Sequence, residues 1–154
     1  MTAVAEHELT LEREFDAPPE KVWRAWTEPD LLRQWFVPKP WTLAGIDADV
    51  RPGGSSSMTM RDPEGNEFPN PGVYLEVAPN RRLVFTDAFV GDWVPNGPFM
   101  VAIVEFAPLP GGRTKYTARA RHWTAEAKAR HEQMGFHEGW GQCADQLAEL
   151  LKTF

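Results

Sequence analysis

The sequence has a single cysteine, Cys143, so it can form neither an intramolecular disulfide nor a multi-cysteine zinc centre. Positive charge is also in short supply. Sixteen Lys and Arg stand against twenty-two Asp and Glu, giving a net charge of −6 and a pI near 5.2. That field repels phosphate backbones and anionic bilayers, so neither nucleic acid nor membrane is expected as a partner. No apolar run approaches the roughly 20 residues of a membrane helix. The opening "MTAVAEHELTLERE" lacks a basic region followed by an apolar core. There is no internal repeat and no low-complexity tract, and only residues 1–6 resemble a loose tail. HExxH is absent, as are the EF-hand spacing and the Lys-Ser/Thr ending of a phosphate loop, so no metal and no cofactor are expected. The absences together describe one cytoplasmic domain over 1–154.

What the sequence does contain is core material. Hydrophobic residues make up 42%, and seven tryptophans are present. "HELTLEREF" alternates, with Leu9, Leu11 and Phe15 on one side and Glu8, Glu12 and Glu14 on the other, as a strand with one wet face does. "DAPPEKVWRAW" and "TEPDLLRQWF" each place proline where a first helical turn tolerates it, and predict two short helices. From Trp41 to Arg121 strand and turn signals alternate: "WTLAGIDADV", "SSSMTMR", "GVYLEVA", "RLVFTDAFV", "FMVAIVEF" and "RTKYTARAR". The stretches between them, "RPGG" and "DPEGN" included, read as turns, and such short connections imply antiparallel pairing. In the last strand Thr114, Tyr116, Ala118 and Ala120 face inward, and Arg113, Lys115, Thr117, Arg119 and Arg121 face water.

After "HWTAEAKAR" the pattern turns helical. On a wheel of about 100° per residue, Gln133, His137, Trp140, Ala144, Leu147, Ala148 and Leu151 form one stripe, predicting one long amphipathic helix across the sheet. Gly141 falls on that stripe and would let the helix approach closely. The expected fold is therefore α+β: a curved antiparallel sheet of about six or seven strands wrapped around a long C-terminal helix, with two short helices after the first strand.

The order of elements and the strings "APPEKVWRAWTEPDLLRQWF", "DADVRPGG", "MRDPEGNEFP", "GVYLEVAPNRRLVFT", "GGRTKYTARA" and "HEGWGQCADQLAELL" resemble the START-related, Bet v 1-like (SRPBCC) superfamily. Within it, they are similar to the group named after the activator of heat shock protein 90 ATPase. The resemblance spans nearly the whole chain. It implies a helix-grip fold with a cavity between sheet and C-terminal helix, in a family whose members bind hydrophobic ligands, confer resistance to small toxins or act as cyclase-like enzymes. The family has no shared catalytic motif, so the resemblance transfers no catalytic residue. The family's co-chaperone carries a separate chaperone-binding domain, for which a helix-grip fold filling 154 residues leaves no room.

Candidate site residues follow from parity and phase. His131 and His137 lie about 120° apart on a helix and cannot share a metal. The wheel puts His131 outside and His137 inside, beside Gln133 and Trp140. His122 continues the inward parity of Tyr116, Ala118 and Ala120. Each histidine reads as a satisfied group at a core edge or as a polar anchor able to donate, accept or change charge. Asp87 shares parity with Leu83, Phe85 and Phe89, so its carboxylate should be hydrogen-bonded, reached by water, or paired with His122 or His137 as acid and base. Trp35, Phe36, Trp41, Met58, Met60, Phe89, Trp93, Phe99, Met134 and Trp140 are mostly core residues, a minority of which should line the pocket. Trp93, in the turn-rich "GDWVPNGP", suits a gate or an interface.

The leading expectation is a protein that binds a hydrophobic small molecule, aromatic or polyketide-like, in the cavity. The alternatives are a cyclase-like or hydrolytic enzyme using Asp87 with an inward histidine, and a homodimeric interaction or stress-response protein with its interface around Trp93.

Overall fold

The computed structural model describes residues 6–154. The tail expected over 1–6 therefore lies, but for Glu6, outside the described residues. Along the chain run β1 (Glu8–Phe15), α1 (Pro19–Thr27), α2 (Pro29–Leu32), β2 (Thr42–Ala48), β3 (Ser56–Arg61), β4 (Glu67–Asn70) and β5 (Val73–Ala78). Then follow β6 (Arg82–Thr86), β7 (Phe89–Val90), β8 (Val94–Pro95), β9 (Val101–Leu109), β10 (Arg113–Arg121), α3 (Ala125–Gln133) and α4 (Phe136–Leu150). All strand pairs are antiparallel, as the short connections require.

One sheet has the order β1-β10-β9-β6-β5 and a second the order β2-β3-β4, while β7 and β8 form a small ribbon. The two sheets meet where Ser55 bridges Val73 and where Tyr74 exchanges backbone hydrogen bonds with Gly53 and Gly54. The expected strands are present. β4 was hidden because its "EFPN" carries Pro69, which a strand accepts at a sheet edge, where its missing N–H breaks no ladder. "DPEGN" is a turn held by Asp62, whose carboxylate accepts from the amides of Glu64 and Asn66.

The alternation of β1 and β10 divides polar from apolar as expected, except that Thr117, read as facing water, is buried among its neighbours. Outward, Arg119 pairs with Glu8 and Glu105, Arg121 with Glu8, and Arg82 with Glu76 and Glu105, linking neighbouring strands of the five-stranded sheet. Such half-exposed pairs are each worth about 0–1 kcal/mol, so they favour register more than stability. Inward, Leu9, Leu11, Phe15, Tyr116, Ala118, Ala120, Val104 and Phe106 are buried. The alanines leave room for the helix layer. Ala144 and Leu147 of α4, with Leu151 just after it, complete the core, and full burial of a side chain such as Leu147 contributes about 1.5–3 kcal/mol. Gly141 is buried beside β1, where an added Cβ would come 3.1 Å from the guanidinium of Arg13. The close approach expected at Gly141 is present.

The long helix gripped by the sheet is α4. It begins later than the wheel implied, because Gly135 takes φ +94° and divides the segment into α3 and α4. Thr124 caps α3 by accepting from the Ala127 amide. The break resets the helical phase, and the inward residues change with it. His131 is 7% exposed and Phe136 1%, whereas Gln133 and His137 lie on the outer surface. The expected orientations of His131 and His137 are thus reversed. Among the described residues no helix is long and apolar enough to cross a membrane.

Candidate functional site

Where the sheet curves away from the junction of α3 and α4, a cavity of about 240 Å³ remains. The strands contribute Leu11, Met60, Asn70, Phe85 and Tyr116, with Met100 just ahead of β9. Trp26 comes from α1, and Trp35, Phe36, Val37 and Pro38 from the segment after α2. The helix side supplies His131, Met134, Gly135, Phe136, Gly139, Trp140 and Cys143. The volume falls just below the roughly 300–1,000 Å³ typical of ligand pockets, which suits a compound of one or two rings. Three methionines in the wall can adapt to its shape.

The wall formed by Trp35–Pro38 is fastened to α4. Gln146 donates to the carbonyls of Trp35 at 2.9 Å and Val37 at 2.8 Å, and accepts from the Lys39 amide at 2.9 Å. Gln142 donates to the Lys39 carbonyl, and the Cys143 thiol to that of Phe36. Trp35 is fixed from the other side by its indole N–H, which donates to the Ala25 carbonyl at 2.9 Å. Edge-to-face contacts of Trp26 with Trp35 and Phe36 fill the corner between them.

Polar atoms in this apolar wall are few. Burial pushes the Cys143 thiol up to about 12, which excludes a thiolate nucleophile near neutral pH. The indole Nε1 of Trp26 is buried with no hydrogen-bond partner. It is directed toward the Tyr116 hydroxyl without reaching hydrogen-bond geometry. Burial raises the Tyr116 phenol far above its usual range, the Trp26 indole opposing and Cys143 reinforcing the shift, so the hydroxyl keeps its proton. His131 is a further polar group of the wall. Its Nδ1 lies 2.9 Å from Nε2 of His122, whose own Nδ1 lies 3.0 Å from the His7 carbonyl. Burial, reinforced by the neighbouring His122, lowers the His131 pKa to about 4.

Of the residues singled out in the sequence, Trp35, Phe36, Met60, Met134 and Trp140 line the cavity. Phe99 and His122 stand behind the wall, Phe99 packing 4.8 Å from the His131 ring and 5.7 Å from that of His122, centroid to centroid. Met58 is buried beside Trp26 and Leu32, and Trp41 packs on Phe68. Gln133 and His137 are on the surface, where His137 approaches Glu132 at 3.5 Å. Asp87 is half-buried, and its Oδ1 accepts from the amides of Phe99 at 2.8 Å and Met100 at 3.2 Å. Among the described residues no hydrogen bond joins Asp87 to a histidine. Phe89 packs against Trp93, which is 52% exposed and lies over Gly53.

Trp26, Phe85, Met100, Tyr116, His131, Phe136 and Cys143 were not singled out as lining residues. Tyr116 was readable as inward, and a pocket beneath the helix had to touch it. His131 was hidden by the assumption of an unbroken helix. No group of three or more metal-ligating side chains is present among the described residues.

Comparison with known proteins agrees with this architecture. A protein from Nitrosomonas europaea is 50% identical, with a TM-score of 0.93 over 98% of this chain and 97% of its own. One from Chromobacterium violaceum is 28% identical, with a TM-score of 0.78 over 93% and 96% of the two chains. The AHSA1 protein from Silicibacter pomeroyi is 25% identical, with a TM-score of 0.74 over 95% and 98%. No functionally curated protein matches the chain. The family model described as "Activator of Hsp90 ATPase homolog 1-like protein" matches residues 16–152, and the chain therefore belongs to that family, within the SRPBCC, Bet v 1-like superfamily.

Proposed function

We propose that the protein binds a small, largely apolar, ring-bearing molecule in the cavity between the sheet and the C-terminal helices. The observation that carries this reading is the wall itself: a space of about 240 Å³, bordered by Trp26, Trp35, Phe36, Phe85, Phe136 and Trp140. Apolar burial would supply affinity at about 25 cal/mol per Å² of surface removed from water. The unpartnered Trp26 indole N–H, the Tyr116 hydroxyl and His131 would supply orientation. Neither the Cys143 thiol nor Asp87, committed to two backbone amides, offers an activated nucleophile or base.

The test is a thermal-shift screen of one- and two-ring compounds, followed by titration of tryptophan fluorescence. A ligand at 100 times its Kd adds about 2.7 kcal/mol, which for a domain of this size raises Tm by roughly 5–10 °C. It should also change the emission of Trp26, Trp35 and Trp140. Gly139 borders the cavity, and a Cβ there would meet no atom within 4 Å, so Gly139→Leu should abolish both responses. Compounds that bind the Leu variant as tightly as the parent would place binding elsewhere, and a screen without a saturable shift would remove the ligand reading.

A further inference from the structure

The two buried histidines have a defined direction of hydrogen bonding. A backbone carbonyl only accepts, so the 3.0 Å contact with His7 requires a proton on Nδ1 of His122. With the ring neutral, Nε2 of His122 then carries a lone pair. The 2.9 Å contact between that atom and Nδ1 of His131 therefore places the His131 proton on Nδ1. Nε2 of His131 is left as a bare acceptor. It has no hydrogen-bond partner among the described residues, and its ring forms part of the cavity wall. Phe99, Phe136 and Trp140 surround this ring with centroids 4.8, 5.2 and 5.9 Å away. Across the same cavity the Trp26 indole N–H has no hydrogen-bond partner among the described residues, and the Tyr116 hydroxyl lies toward it.

We infer that the cavity reads a hydroxyl group: Nε2 of His131 accepts a hydrogen bond from a neutral, ring-bearing alcohol or phenol, and His122 is the positioning residue that keeps this nitrogen an acceptor. The inference rests on the cavity being a ligand site and adds the chemistry of the ligand. A hydroxyl gives the lone pair its only partner, and its oxygen or a second acceptor on the ligand can take the proton of Tyr116. An ether or a carboxylate brings lone pairs toward a lone pair. A carboxylate also brings a charge into a wall with no cation to meet it, and an unpaired charge in apolar surroundings is strongly disfavoured. The low basicity of His131 means that it does not become that cation at neutral pH.

The test uses naphthalene, naphthol, naphthol methyl ether and naphthoate as probes, titrated at neutral pH and read by tryptophan fluorescence. Naphthol should bind about three- to tenfold more tightly than its methyl ether, the ratio that one net hydrogen bond supplies, and naphthoate most weakly. In His131→Phe, which keeps a ring in the wall, naphthol and its ether should become equal while naphthalene is held as before. Long-range nitrogen–proton spectra of the histidines in the unaltered protein give a readout that needs no variant. They should show Nε2 of His131 unprotonated, with its nitrogen signal shifting on addition of naphthol; in His122→Phe a proton should appear on that nitrogen.

Equal binding of naphthol and its ether alongside tight naphthalene binding would overturn the hydroxyl reading and leave the cavity reading standing. Failure of every probe in the unaltered protein, with no nitrogen shift, would remove both. A proton found on Nε2 of His131 in the unaltered protein would also overturn the inference.

Discussion

The side-chain amide of Gln146 donates to the main-chain carbonyl of Trp35 at 2.9 Å, so one residue of α4 holds one wall of the cavity in place. The same side chain meets the Val37 carbonyl and the Lys39 amide. Gln146→Ala leaves three backbone groups without their protein partner. Loss of stability of about 1–3 kcal/mol is expected, read from urea unfolding. A ligand-induced Tm shift should shrink as well, because the segment carrying Trp35, Phe36 and Val37 would no longer be preorganised. Unchanged stability in that variant would mean that the Trp35–Pro38 wall holds its own shape.

Asp87 gives a second prediction. Its Oδ1 receives the amides of Phe99 and Met100, so the carboxylate ties the start of the segment after β6 to the approach to β9. Asp87→Asn retains an oxygen in that position and should cost less than about 1 kcal/mol, whereas Asp87→Ala should cost about 1–3 kcal/mol. Amide hydrogen exchange at Phe99 and Met100 should accelerate in the alanine variant alone. Matching exchange in both variants would show that water already satisfies those amides.

The strands were legible because a period of two survives twist and bulges: Leu9, Leu11 and Phe15, or Tyr116, Ala118 and Ala120, needed no tertiary information. The site was less legible for three physical reasons. One is phase. A wheel drawn through Gly135 assumes helical dihedrals there, and a single left-handed residue rotated His137 out and His131 in. The second is distance, since nothing local to "LVFTDAF" announces that Asp87 serves amides across the segment that follows β6. The third is the orphaned donor: "DAPPEKVWRAW" reads as a helix carrying Trp26, but only packing shows that its N–H finds no acceptor among the described residues.

The break at Gly135 and the continuity at Gly139 predict substitutions of opposite sign. Gly139 lies inside α4, and a Cβ there meets no atom within 4 Å, so Gly139→Ala should stabilise by about 0.5–1 kcal/mol through helix propensity and loss of unfolded-state freedom. Gly135 has φ +94°, where an L-residue is strained, and Gly135→Ala should destabilise by about 1–2 kcal/mol. Urea unfolding of the pair decides the matter. Stabilisation by both alanines would mean that α3 and α4 run as one helix in solution, with His137 returned to the inner stripe.

Burial of a neutral His131 makes stability depend on pH with a definite sign. In the unfolded chain the imidazole takes up a proton as pH falls through 6.5, while in the folded protein it does so only near 4. Between those values the unfolded state binds more protons, so stability is full above pH 6.5 and falls as pH falls toward 4. The loss across the window should be of order 3 kcal/mol. Carboxylates held below their ordinary values in the folded protein, such as Glu8 and Asp62, contribute their own losses below 4.5 and 3.8, at or under the bottom of the window. Urea midpoints measured from pH 7.5 down to 4.5 should therefore decline in the parent and stay nearly level in His131→Phe. An equal decline in both proteins would show that the imidazole is protonated in the folded state, by a cavity open enough to water to carry its charge.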